Sequence, residues 1–203
     1  MTELRPDGLN ALLEQSRAFG FLGPGPVQRH RSHAEAFLPL LPTVGTIVDL
    51  GSGGGVPGLV LALARPELQF VLIDAMERRT TFLAAAIGTL GLRNVEVLTG
   101  RAEDLGRGAR RSSCAAVVSR SFGPPAVVAE CAAPFLIPGG LIIVAEPDMP
   151  QPGRWPDEGL SLLGLEKAQV VSEPVHLQVL RAVSPCPETF PRRTGVPKKR
   201  PLW

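Results

Sequence analysis

Residues 49–58, Asp-Leu-Gly-Ser-Gly-Gly-Gly-Val-Pro-Gly, follow the apolar run Val44 to Val48 and precede Leu59 to Ala64, which reads as helix. A strand, a glycine turn and a helix in that order commit a chain to an α/β unit in which a ligand can touch backbone. Five glycines among residues 51–58 permit positive φ and close approach, because no Cβ stands in the way. Pro57 suits the first turn of the helix that follows, where its missing N–H would be unpaired anyway.

The rest of the chain repeats this alternation. Leu9, Leu12, Leu13, Ser16 and Phe19 recur at helical spacing, so residues 7–19 read as an amphipathic helix. Gly20 to Pro26 breaks it. A second stripe, Val27, His30, Ala34, Phe37, Leu38 and Leu41, predicts another helix, ended by Pro42. Strands are predicted at 44–49, 69–73, 95–98, 114–118 and 141–145, and helices at 58–64, 76–90 and 125–135. A Pro/Gly-rich loop covers 146–159, and an antiparallel pair of strands is expected near 165–171 and 175–183. The expected fold is α/β: a doubly wound, mostly parallel seven-stranded sheet with an N-terminal helical extension. A soft boundary divides residues 1–42, the extension, from 43–203, the sheet domain with its tail, the whole forming one structural unit.

In such sheets a ligand lies outside the carboxyl ends of the strands. Four segments end there: Asp49 to Gly55, Asp74, Gly100 to Glu103, and Ser119-Arg120. Two cofactor classes compete for the glycine loop. Gly53-x-Gly55-x-x-Gly58 matches the dinucleotide fingerprint, in which a helix N-terminus meets a pyrophosphate. S-adenosylmethionine has no phosphate but carries a sulfonium, an ammonium and a carboxylate. Asp49, two residues before the first glycine, suits that cation-rich ligand better. Asp74, at the end of the second strand, can take ribose hydroxyls in either class.

At 203 residues, 44% hydrophobic and 20% charged, the composition is that of a globular domain. No apolar run reaches membrane-spanning length, and Met1 to Asp7 lacks the apolar core of a signal peptide. Three cysteines, Cys114, Cys131 and Cys186, have no metal spacing and make no disulfide framework, which points to a reduced, cytoplasmic setting. The net charge of +2 hides an asymmetry: residues 192–203 carry +5, so the remainder sums to −3. With Arg101, Arg107, Arg110 and Arg111, that tail points to a polyanion such as RNA.

These motifs together resemble the GidB/RsmG family, which methylates N7 of a guanine in bacterial 16S ribosomal RNA. The resemblance covers roughly residues 20–203. It rests on Asp49-x-Gly51-x-Gly53-x-Gly55-x-Pro57-Gly58, on Asp74 followed by Arg78-Arg79-x-x-Phe82-Leu83, and on Gly100-Arg101-Ala102-Glu103. It continues through Val118-Ser119-Arg120-Ser121-Phe122 and ends in Pro191-Arg192-Arg193-Thr194-Gly195-Val196-Pro197-Lys198-Lys199-Arg200. The resemblance implies S-adenosylmethionine as cofactor, bound by Gly51, Gly53, Val56, Asp74, Ala102, Glu103 and Arg120. It implies RNA contacts from Arg101, Arg192, Arg193, Lys198, Lys199 and Arg200. The implied partner is 16S ribosomal RNA or the small ribosomal subunit, met by a cytoplasmic monomer without metal or membrane. Three places depart from the family: Phe21-Leu22-Gly23-Pro24 replaces Asn-Leu-Thr, His33 replaces an Asp, and Ala145-Glu146 stands where a Lys follows strand five.

N7 of guanine carries a free lone pair at neutral pH, so methylation there needs in-line placement and no general base. No side chain is accordingly singled out as catalytic. His30-x-x-His33 has the spacing of half a metal site but no third ligand. Two other readings stay open on sequence alone: an RNA-binding protein that kept the cofactor fold but lost turnover, and an NAD(P)-dependent oxidoreductase.

Overall fold

The computed structural model describes residues 6–149 and 151–203; of the stretch Met1 to Asp7, read as lacking a signal peptide, the first five residues lie outside them. Helices α1 (Pro6–Ala18) and α2 (Val27–Glu35) precede β1 (Thr46–Leu50). The alternation then runs α3 (Gly58–Ala64), β2 (Gln69–Asp74), α4 (Glu77–Leu90), β3 (Val95–Thr99), α5 (Ala102–Leu105) and β4 (Cys114–Ser119). It closes with α6 (Pro125–Ala132), β5 (Leu136–Ala145), α7 (Asp157–Ser161), β6 (Leu165–Val171), β7 (Leu177–Ala182) and α8 (Val196–Lys199).

The seven strands form one sheet in the order β3-β2-β1-β4-β5-β7-β6. The first five are parallel, and β7 runs antiparallel between β5 and β6. Both faces are covered, so β1 has no polar alternation apart from Asp49. Ile47 points into one core with Leu13, Phe37, Leu59 and Phe82, while Val48 and Leu50 point into the other with Val128, Phe135 and Leu160. Parallel strands buried on both faces read as continuous apolar runs for this reason. The chain reverses direction across the sheet between β1 and β4, which opens a crevice at their carboxyl ends.

Several boundaries differ from expectation. The second helical stripe breaks at Ala36, and Leu38–Leu40 forms a separate 3₁₀ turn with Pro39 at its centre. β5 begins at Leu136 instead of 141, with Pro138-Gly139-Gly140 lying inside it opposite a register shift between Cys114 and Ala116. A bulge of this kind accommodates a proline that a regular ladder would reject. Pro57 is the residue before the helix instead of its first residue. The short helices α5 and α8 fall in segments read as loop and tail. Gly91 ends α4 with φ +65°, the left-handed conformation glycine adopts without cost.

The N-terminal helices share the first core with the sheet: Leu9, Leu13, Val27 and Phe37 are buried there. Ser16 on α1 is fully buried, and its hydroxyl donates to Gly54 O at 3.1 Å, so the extension grips the glycine loop directly. The three cysteines are buried free thiols. Burial pushes the thiols up, to about 11 for Cys186, which makes them poor nucleophiles near neutral pH.

Candidate functional site

The glycine loop is built by hydrogen bonds from β1 onto the end of β2. Gly51 N and Ser52 N both donate to Ile73 O at 2.9 Å. Gly53 N donates to Asp74 Oδ2 at 3.0 Å, and Met76 N donates to Asp74 Oδ1 at 2.8 Å. Arg79 Nη1 approaches the same carboxylate at 3.4 Å. Asp74 therefore joins the loop to the start of α4, and only part of its capacity is left to face a ligand.

Asp49 is buried at the base of the loop. Its Oδ2 accepts from Gly58 N at 3.0 Å, which holds the N-terminus of α3 against β1. Among the described residues its Oδ1 has no partner. Burial raises the Asp49 carboxyl to about 7, against an ordinary value near 3.8. Gly58 is obligatory at this contact: a Cβ there would lie 2.4 Å from Asp49 Oδ2 and 2.4 Å from Leu72 Cδ2. Gly51 has φ +75°, and a Cβ on it would meet Phe122 Cδ2 at 2.6 Å.

A cleft of about 690 Å³ opens above this loop at the reversal point of the sheet. Gly51 to Gly54 and Val56 form its floor, and Ser119 to Gly123 after β4 form one wall. The Phe21 to Pro24 turn and α2, through Arg29, His30 and His33, form a second wall. Glu146 to Asp148 and Arg154 close the third. Both Glu146 oxygens are engaged: Arg154 Nε donates to Oε2 at 2.6 Å and Trp155 Nε1 donates to Oε1 at 3.0 Å. Residue 121 is a serine at φ +60°, a conformation uncommon outside glycine, at the point where the chain leaves β4 along the cleft.

The expected cofactor residues divide into two groups. Gly51, Gly53, Val56 and Arg120 line the cleft. Asp74 lies beneath it, bonded to Gly53. Ala102 and Glu103 are buried at the start of α5 and do not line it. Glu103 Oε1 accepts from Gly195 N at 2.9 Å, so that side chain holds the C-terminal segment. The neighbouring Asp104 accepts from Thr194 Oγ1 at 2.5 Å.

The basic tail is also divided. Arg101, Arg193, Lys198, Lys199 and Arg200 are exposed. Arg192 is anchored inward: its backbone N and Nε donate to Glu130 Oε1, both at 2.8 Å, and Nη2 donates to Oε2 at 2.6 Å. Arg107 and Arg111, from the second basic group, bind carbonyls of Cys186, Phe190 and Pro191 and fasten the same segment. Arg110 pairs with Glu96.

The three departures from the family pattern all fall on the cleft, at Phe21 to Pro24, His33 and Glu146. Sequence reasoning had no signal for Arg154 as a wall of the site, since it lies in an irregular loop. The half metal site is put to other use: both ring nitrogens of His30 bond to Gly23 and Arg120. Among the described residues no three His, Cys, Asp or Glu side chains converge as a metal site would need.

The residues fit S-adenosylmethionine. A buried carboxylate oxygen without a partner suits a cationic ligand, backbone bare of Cβ lies along the floor, and the Arg120 guanidinium suits a carboxylate.

Comparison with known proteins agrees. The family model described as rRNA small subunit methyltransferase G (GidB) matches residues 27–151. The chain is 34% identical over 180 residues to the ribosomal RNA small subunit methyltransferase G of Moorella thermoacetica, covering 82% of this chain and 73% of that one. It is 36% identical over 181 residues to the protein of the same name from Thermotoga maritima, covering 85% and 76%. Among solved structures, cofactor-bound Rv0187 from MTB superposes with a TM-score of 0.61 at 17% identity over 91% of this chain and 93% of that one. A SAM dependent methyltransferase from Aquifex aeolicus gives 0.54 at 19% identity over 73% and 88%. At such identities these structures establish the fold alone.

Proposed function

The chain belongs to the rRNA small subunit methyltransferase G family, and from that premise we propose that it transfers a methyl group from S-adenosylmethionine to N7 of a guanine in 16S ribosomal RNA. It is an S-adenosylmethionine-dependent methyltransferase, which sets aside the dinucleotide reading of Gly53-x-Gly55-x-x-Gly58. The observation that carries the proposal is the cleft itself, where a glycine-rich floor of Gly51, Gly53 and Gly54 lies beside the buried, half-unpaired Asp49 carboxyl.

When bound, the cofactor supplies an electrophilic methyl group on a sulfonium. The chain's task is placement. Gly51, Gly53 and Val56 approach through backbone, and Asp74 faces the ribose with whatever Gly53 and Met76 leave free. Ala102 and Glu103, which the family resemblance assigns to the adenine, lie buried beyond the cleft lining, and with Glu103 Oε1 taken by Gly195 N they act on the adenine through their backbone at the start of α5. Arg120 meets a carboxylate of the cofactor or the incoming nucleotide. The methylated base is cationic, and the Asp148 carboxylate on the third wall favours that charge, Glu146 being neutralised by Arg154. Arg101, Arg193, Lys198, Lys199 and Arg200 are exposed and able to meet RNA phosphates.

Residues 1–42 serve as an extension that carries one wall of the cleft, on a domain of residues 43–203. The protein acts as a monomer in the cytoplasm on the small ribosomal subunit, with neither metal nor membrane. Among the described residues no helix is long and apolar enough to cross a membrane. Tritiated S-adenosylmethionine with 30S subunits from a strain lacking the enzyme tests the proposal. The expected product is labelled 7-methylguanosine in 16S RNA. Cofactor binding without any label in RNA would overturn the RNA assignment.

A further inference from the structure

His30 lies on α2, far in sequence from the loop after β4, yet it is the hydrogen-bond partner of Arg120. Arg120 Nη1 donates to His30 Nδ1 at 3.2 Å. His30 Nε2 lies 3.1 Å from Gly23 O. A carbonyl only accepts and a guanidinium only donates, so these contacts define one neutral tautomer, with the hydrogen on Nε2 and a bare Nδ1. Among the described residues Arg120 forms no salt bridge. A carboxylate in place of His30 would hold the guanidinium and also neutralise it. A neutral imidazole holds it and leaves its charge available to an anionic group in the cleft.

We propose that His30 is a positioning residue for methyl transfer: through Nδ1 it fixes the Arg120 guanidinium on the cleft wall, and through Nε2–H it ties that grip to the Gly23 turn. The proposal rests on the reading of this cleft as the transfer site. It gives the N-terminal helices a part in the chemistry beyond packing, since they carry the group that aims Arg120.

The arrangement works only while the ring is neutral. Protonation would turn Nδ1 into a donor facing a guanidinium. The groups around the ring agree in direction. Burial and then Arg120 hold His30 below the ordinary imidazole range, with Arg29 on its own helix adding to the effect and the Gly23 and Pro24 carbonyls opposing it. His33, one turn along, is lowered by the same two causes, and Asp148 from the third wall opposes that shift. Both rings line the cleft, and the Arg120 guanidinium between them and the loop after β4 favours the neutral form of each.

Two substitutions separate the two bonds. In His30→Gln the amide reaches the Nε2 position and keeps a donor for Gly23 O, while Arg120 loses its acceptor. In His30→Asn the carbonyl oxygen reaches the Nδ1 position and keeps an acceptor for Arg120. Methyl transfer to 30S subunits is measured for both from pH 5 to 8, with thermal unfolding as a control for folding. We expect His30→Gln to lower kcat/KM about tenfold or more, the scale of a misplaced site group. His30→Asn recovers most of that loss. Wild type loses activity as Asp49 takes up its proton near 7 and again, at lower pH, as the His30 ring does; His30→Asn keeps the first loss and lacks the second. Arg120→Ala combined with His30→Gln costs no more than Arg120→Ala alone, because both act through one contact. Should His30→Gln fail to fold, the pH profiles of wild type and His30→Asn carry the test. An active wild type whose rate and second, lower-pH loss are untouched by these substitutions overturns the role of His30. A wild type that labels no RNA overturns the proposed function instead.

Discussion

Arg192→Ala is expected to be among the most damaging single substitutions outside the core. Glu130 sits on α6 with 0% exposure, and its carboxylate receives three hydrogen bonds, all from Arg192. The Arg192 side chain itself retains 28% exposure. The Glu130 contact also raises the affinity of the guanidinium for its proton above the usual arginine value. Truncating the arginine leaves one backbone bond to Oε1 and an otherwise uncompensated buried carboxylate near the Cys131 and Cys186 thiols. Breaking a buried pair from one side costs about 3–5 kcal/mol. For a domain of this size that lowers Tm by roughly 6–20 °C. Urea denaturation followed by circular dichroism measures it. Glu130→Gln combined with Arg192→Ala should recover part of the loss, because the buried charge is gone. A loss below about 1 kcal/mol for Arg192→Ala would refute the reasoning and make the pair an ordinary surface contact. The same variant, at a temperature where it is folded, should leave the salt dependence of RNA binding unchanged, since this guanidinium is already occupied.

Lys198→Ala with Lys199→Ala should lower RNA affinity and reduce the slope of log K against log salt by about 1.5, the value for two lost phosphate contacts, with cofactor binding untouched. Filter binding across a salt series measures it, and an unaltered slope would make these lysines a solubility device. Asp74→Ala should weaken S-adenosylhomocysteine binding by about 1.5–3 kcal/mol in calorimetry; unchanged affinity would refute the link between Asp74, Gly53 and the cofactor. For Asp49 the carboxyl is raised to about 7 when folded against 3.8 when not, so the folded state binds the extra proton between those values. Its contribution is complete below pH 3.8 and is lost as pH rises toward 7, by at most about 4 kcal/mol. Asp49→Asn should flatten that segment of the stability profile, and parallel profiles for the two proteins would show that the carboxyl does not titrate as described.

The order of elements, the doubly wound fold and the glycine loop between β1 and α3 were legible in the sequence because each depends on neighbours in the chain. Apolar runs such as Ile47 to Leu50 mark strands buried on both faces, and glycines 51 to 58 mark a turn whose requirements are steric and local. Asp49 and Asp74 could be placed at strand ends for the same reason. What lies across space from them could not be read that way. Arg192 and Glu130, 62 residues apart, look like a tail cation and a helix acid until the fold buries one and brings the other to it. Glu103 and Gly195 meet across 92 residues, and His30 and Arg120 across 90. Charge and spacing announce that a basic residue exists, but desolvation and the partner it meets decide whether it faces RNA, locks a strap or aims into a cleft. Those are properties of the packed molecule, and only the tertiary structure decided them.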